Sequence, residues 1–167
     1  MFNKTTAGLG AGLLCAVLAA TPASAATTST TLNVSATVTA NCTVSSSAVA
    51  FGNVNPLSGS NVDATGGITV TCTNGTAWTA AAGVGSGTGA TFASRKMSSG
   101  GNLLNYTLYT DAARTTVWGD GTGSTGQFSN TGSGLAQAVT VYGRVPSGQA
   151  TVPPGAYADT VSVTVTY

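Results

Sequence analysis

The chain has 167 residues, with five basic and four acidic side chains, a formal net charge of +1 and no histidine. So little charge gives no steering toward nucleic acid or anionic lipid, and a chain without histidine cannot run Ser-His or Cys-His catalysis. Its apolar residues alternate regularly, so it is not the low-hydrophobicity, high-charge composition of a disordered protein, and the length suits one domain.

The first 25 residues read as a secretory signal peptide. Lys4 supplies the positive start, and Ala7–Ala20 an apolar run too short and glycine-rich to span a membrane. Ala23-Ser24-Ala25 is a small-residue cleavage site. Cys15 follows Leu14 within the apolar run, where a lipoprotein signal needs a small residue, so it is expected to leave with the leader. Export leaves Cys42 and Cys72, and in an oxidising compartment their default is one disulfide. Closing the loop between them is worth roughly 3–4 kcal/mol in chain-entropy terms. A metal site is not expected, because histidine is absent and no carboxylates cluster near the pair.

From Thr30 the pattern has period two. Leu32, Val34, Ala36 and Val38 share one face, and Asn33, Ser35, Thr37 and Thr39 the other. This predicts a β-strand with one apolar face, in an extension spanning residues 26–40. A second strand is predicted over Cys42–Phe51, then a turn-rich stretch from Gly52 to Gly67. Ile68, Val70 and Cys72 alternate with Thr69, Thr71 and Thr73, and Asn74-Gly75 is a turn signal. Further strands are predicted over Trp78–Val84, Thr91–Met97, Asn102–Thr110 and Gln137–Val145. Asp111–Gly126, which contains WGDGTG, reads as a long turn. Arg95-Lys96 reads as a solvated patch, and Trp118, in its glycine-rich surroundings, as a candidate exposed aromatic. The last strand runs from Tyr157 to Tyr167, with Tyr157, Asp159, Val161, Val163, Val165 and Tyr167 on one face. Short strands joined by Gly/Pro/Asn-rich connections, with no helical periodicity, point to an all-β Greek-key sandwich.

Both ends of this chain are patterned as strands, where most termini fray. Two readings fit. The terminal strands pair within a closed sandwich, or the N-terminal strand completes the sheet of a neighbour. Burial of each large aliphatic side chain would supply roughly 1.5–3 kcal/mol in the second case. Such a contact is heterologous and generates an open fibre.

Three stretches resemble the spore coat protein U domain family, which includes subunits of archaic chaperone–usher pili. They are NCTV at 41–44 with AFGNVNPLSG at 50–59 and GGITVTC at 66–72, LLNYTLYTDAARTTVWGDGTG at 103–123, and VTVYGRVPSGQATVPPGAYADTVSVTVTY at 139–167. The resemblance implies an immunoglobulin-like fold that lacks its final strand, in a pilin-type domain over 41–167. It implies a groove edged by the C-terminal strand, with Val161, Val163, Val165 and Tyr167 on the groove face. The donor would be residues 28–40 of another copy, with Leu32, Val34, Ala36 and Val38 entering the groove. A periplasmic chaperone and an outer-membrane usher are the implied assembly partners, with tip or adaptor subunits besides. Cys42–Cys72 would tie the first core strand to the next. The length after Ala25 has no room for an additional adhesive domain, so the likeness is to a shaft subunit of a cell-surface pilus serving adhesion or biofilm formation. The alternative is a secreted monomeric coat protein or a carbohydrate- or surface-binding module. Neither catalysis nor a cofactor is expected, since Asp111 and Asp120 read as turn caps.

Overall fold

The computed structural model describes residues 22–167. The expected leader lies outside them except for Pro22–Ala25. The chain divides into two compact units, Met1–Ala36 and Thr37–Tyr167. In the first, the described residues carry no assigned helix or strand, and Leu32 and Val34 are 86% and 87% exposed. The strand expected from Thr30 carries no strand assignment over residues 30–41. A period-two apolar face without a partner gains neither hydrogen bonds nor burial.

The second unit is an all-β sandwich of eight strands: β1 (Cys42–Ser47), β2 (Val62–Cys72), β3 (Ala77–Ala82), β4 (Arg95–Ser99), β5 (Asn102–Tyr109), β6 (Phe128–Thr131), β7 (Gln137–Val145) and β8 (Val163–Thr166). One sheet has the order β1-β2-β7-β5-β4 and the other β6-β3-β8. All the ladders are antiparallel. Alternation decides which side chains meet between the sheets. Ile68, Val70 and Cys72 of β2, Leu104, Tyr106 and Leu108 of β5, and Val141 and Val145 of β7 are buried against Trp78, Ala80 and Ala82 of β3.

The disulfide joins residues directly opposite in the β1–β2 ladder, Cys42 and Cys72, with Cα atoms 4.1 Å apart. The neighbouring pair carries the hydrogen bond, Thr73 N to Asn41 O at 2.9 Å. Cys42 and Cys72 thus occupy a close-approach, non-hydrogen-bonded position, where a cross-strand bridge fits.

Beyond β1 the chain leaves the sheet edge and lays Val49 and Phe51 on the inner face of β2 and β7. This needs Gly143, where a Cβ would meet Val49 Cγ1 at 2.6 Å and Phe51 Cζ at 2.8 Å.

Two expectations about single residues are overturned. Arg95 is fully buried, not solvated. Its guanidinium donates Nε and Nη2 to the Gly83 carbonyl at 3.0 and 2.8 Å, Nη1 to Phe92 O at 3.0 Å and Nη2 to Trp118 O at 2.6 Å. Five fixed donors let one side chain satisfy carbonyls from two loops, Gly83 and Phe92 of the β3–β4 connection and Trp118 of the β5–β6 connection. Trp118 is 2% exposed; its indole N–H donates to Ala80 O at 3.0 Å and its ring meets Phe128 edge-on at 5.1 Å. Asp111 and Asp120 do cap turns: Asp111 accepts from Thr115 N and Thr116 N, and Asp120 from Thr122 N.

Candidate binding cleft

β1 and β8 are the terminal strands of their respective sheets. Both border one cleft of about 420 Å³. One wall is Ser46–Val49, the end of β1 and the residues after it. The other is the run Tyr157–Val163 leading into β8. The floor is formed by core residues, Ile68, Leu108, Trp118 and Val141, which remain buried. Beside this floor each sheet offers a strand edge with a ladder on one side only. An extended segment of matching chemistry would find apolar floor beneath it and unpaired backbone beside it.

The sequence placed an apolar face along the C-terminal run, and the structure distributes its members. Val161 and Val163 line the cleft, and Val165 packs on the core from the strand position opposite Ala80. Tyr167 lies elsewhere: it is 56% exposed and sits beside Trp78, Ser129 and Asn130. The ladder of β8 begins only at Val163. Upstream, Ala158 bridges Ser98 instead, with N–H to O bonds in both directions at 2.9 and 3.2 Å. Of the donor-face residues, Leu32, Val34, Ala36 and Val38 are all exposed.

The opposite wall, Ser46–Val49 with Phe51 behind it, was not singled out from sequence. Its signal was the change from the serine run Ser45–Ser47 to the alternating Ala48-Val49-Ala50-Phe51.

Asp159 is the one ionisable carboxylate in the cleft lining. Burial pushes its pKa up, but donors outweigh that and hold it below the ordinary carboxylate value. Ser86 N and Oγ donate to Oδ1 at 2.7 and 2.6 Å, Tyr106 Oη to Oδ2 at 2.6 Å, and Thr160 N to Oδ1 at 2.8 Å. Burial, then the hydrogen bond and charge of Asp159, push the Tyr106 hydroxyl well above the usual phenol value. The carboxylate is thereby committed to the fold, and the rest of the lining is uncharged, with Ser46, Ser47 and Thr160 among the apolar residues.

The Spore Coat Protein U domain profile matches residues 28–164, most of the chain and all of both cleft walls. The chain belongs to that family. Among curated relatives, this family member is 46% identical over 66 residues to Protein U of Myxococcus xanthus, covering 40% of this chain and 35% of that protein. Among solved structures it matches the CsuC–CsuE chaperone–tip adhesion subunit pre-assembly complex from archaic chaperone-usher Csu pili of Acinetobacter baumannii. That match has a TM-score of 0.56 at 23% identity, over 78% of this chain and 40% of the other. The spore coat protein U domain here thus has the incomplete immunoglobulin-like sandwich of that pilus system, and spans less than half of either protein it matches.

Proposed function

We propose that this protein is a structural subunit of a secreted surface fibre, a chaperone–usher pilus, assembled by donor-strand exchange. The N-terminal extension of one copy enters the cleft of the next, with Leu32, Val34, Ala36 and Val38 facing the floor. The observation that carries this reading is the cleft: two sheet edges flank an apolar floor in a chain that also carries an exposed segment of matching alternation. In the periplasm a chaperone would occupy the cleft first, and exchange at the usher would hand it to the incoming subunit.

Topology supports one polarity for the donor. At one pole of the sandwich lie Cys42, Cys72 and the start of β7; at the other lie Val62, the end of β7 and Tyr157. The donor segment is tethered to its own copy at Cys42. If it left the acceptor at the acceptor's own Cys42 pole, successive extensions would crowd one end. Leaving at the opposite pole allows each copy to follow the last. The donor then runs antiparallel to the Tyr157–Tyr167 run.

Deletion of residues 28–38 tests the proposal. Chaperone capture should persist, because the cleft is intact, while subunit–subunit linkage and surface fibres disappear. Fibres of normal abundance from the deleted chain would refute it.

A further inference from the structure

Among the large apolar side chains that the fold leaves exposed, Leu57 and Leu135 stand out, at 76% and 73% exposure, because they lie at opposite poles of the sandwich. Leu57 lies in the connection between β1 and β2, on the rim of a pocket of about 810 Å³ whose other walls include Val54, Leu104, Val152, Pro153 and Tyr157. No charged side chain lines this pocket. It adjoins the cleft, since Val49, Phe51, Met97 and Tyr157 border both. Leu135 lies in the β6–β7 connection, Gly132-Ser133-Gly134-Leu135-Ala136, which is also uncharged. Gly134 N donates to the Cys72 carbonyl at 3.1 Å, so Leu135 sits beside the disulfide from which the N-terminal extension departs.

We infer that the pocket beside Leu57 is a second subunit–subunit contact, filled by Leu135 and its glycine-flanked loop from the next copy in the fibre. The inference rests on the donor-strand reading above and adds a body-to-body interface to it. The tether is what forces the contact. Only Thr39, Ala40 and Asn41 separate Val38, the last donor-face residue, from Cys42. Four Cα steps reach at most about 14 Å. With Val38 at the mouth of the cleft, the donor copy's disulfide pole is held against the acceptor's pocket pole. The surfaces brought together are then an uncharged concavity and an uncharged loop carrying one exposed leucine. A leucine entering an apolar pocket is favourable, whereas leaving both in water at a pole that must face another copy forgoes that burial.

The test is cysteine substitution in assembled fibres. A Leu57→Cys/Leu135→Cys double variant, secreted with its chaperone and usher and then oxidised, is boiled in SDS without reductant. The expected result is a ladder of covalent multimers, with each single variant running as monomer. Fibres of wild-type yield that boil to monomers would overturn the pole contact while leaving strand exchange in place; fibres that survive deletion of residues 28–38 would instead remove the donor reading. A second measurement covers the case in which the double variant fails to assemble. Maleimide labelling of Leu57→Cys alone should be about tenfold slower in fibres than in the chaperone-bound subunit. Equal rates would overturn the inference.

Discussion

Replacing Arg95 with alanine would leave the carbonyl oxygens of Gly83, Phe92 and Trp118 without their shared donor. A buried polar group left unpaired costs about 1–3 kcal/mol, so Arg95→Ala should destabilise the domain by about 3 kcal/mol or more. Arg95→Lys should recover only part of this, because one ammonium cannot reproduce the planar fork. Urea unfolding followed by tryptophan fluorescence measures both, with Trp78 and Trp118 buried in the same core. Tyr106 makes a pH-dependent counterpart. Its folded pKa is raised, so the stability it contributes is complete below the unfolded value of about 10 and declines as pH rises above that. Tyr106→Phe removes an ionisable hydroxyl and one donor to Asp159. The wild-type advantage over Tyr106→Phe should therefore be larger at about pH 8 than at about pH 11, read as a narrowing gap between urea midpoints. A gap that stays constant would show that the Tyr106 proton is not coupled to folding. Neither residue announced itself in sequence. Arg95 stands beside Lys96 in a Gly/Ser-rich neighbourhood, the usual dress of a surface patch, and its partners are backbone carbonyls at Gly83, Phe92 and Trp118. Pattern reading sees side-chain alternation and is blind to orphan carbonyls.

Elements were legible in proportion to how much of their side-chain pattern the core uses. The strand expected at Gln137–Val145 coincides with β7, and the one at Asn102–Thr110 ends one residue beyond β5. Both are interior strands, with Leu104, Tyr106 and Leu108 of β5 and Val141, Gly143 and Val145 of β7 buried at every second position. β6 went unnoticed because Phe128-Ser129-Asn130-Thr131 holds a single large apolar residue, and its ladder to β3 is a matter of backbone. At the C-terminus the alternation correctly assigned a face, since Tyr157, Val161, Val163 and Val165 all pack against the core. It overstated the ladder, because a hydrogen-bonded strand is only as long as its pairing with one neighbour: upstream of Val163 the chain leaves β3, and Ala158 bridges Ser98 instead. The same physics explains the N-terminal segment. Its pattern is that of a strand, while residues 22–41 carry no strand assignment. β1 is the intermediate case: mostly exposed side chains, one ladder to β2, and the Cys42–Cys72 bridge closing a separation of 30 residues. That bridge holds the edge strand that forms a cleft wall, where burial alone would hold it weakly. The cleft itself was half legible: alternation gave the apolar face of the C-terminal run and the family resemblance implied that it edges a groove, while the Ser46–Val49 wall depends on the chain leaving the sheet edge over Gly143.

At the scale of the whole molecule, the proposed fibre joins two different surfaces, the donor segment of one copy and the cleft of the next, so its association is heterologous and has two unlike ends. This makes a quantitative demand on mixtures. A chain lacking residues 28–38 keeps its cleft and can accept a donor, but it cannot donate. Each fibre can therefore hold only one such chain, at the end where a donor would otherwise enter the next acceptor. Co-expressing the deleted chain as a fraction f of all subunits should cut mean fibre length toward 1/f subunits, or about ten at f of roughly 0.1. Closed symmetric oligomers behave otherwise, because a chain missing one half of a contact lowers their yield without setting a length. A synthetic peptide of residues 28–41 is the complementary reagent. It donates without offering a cleft, so it should cap accepting ends. The same peptide with Leu32, Val34 and Val38 changed to aspartate should leave lengths unaltered, because each charge would have to enter an apolar floor. Electron-microscopic length distributions decide the matter. Lengths that ignore the deleted chain, while its protein is secreted and folded, would mean that the extension is not the link between copies.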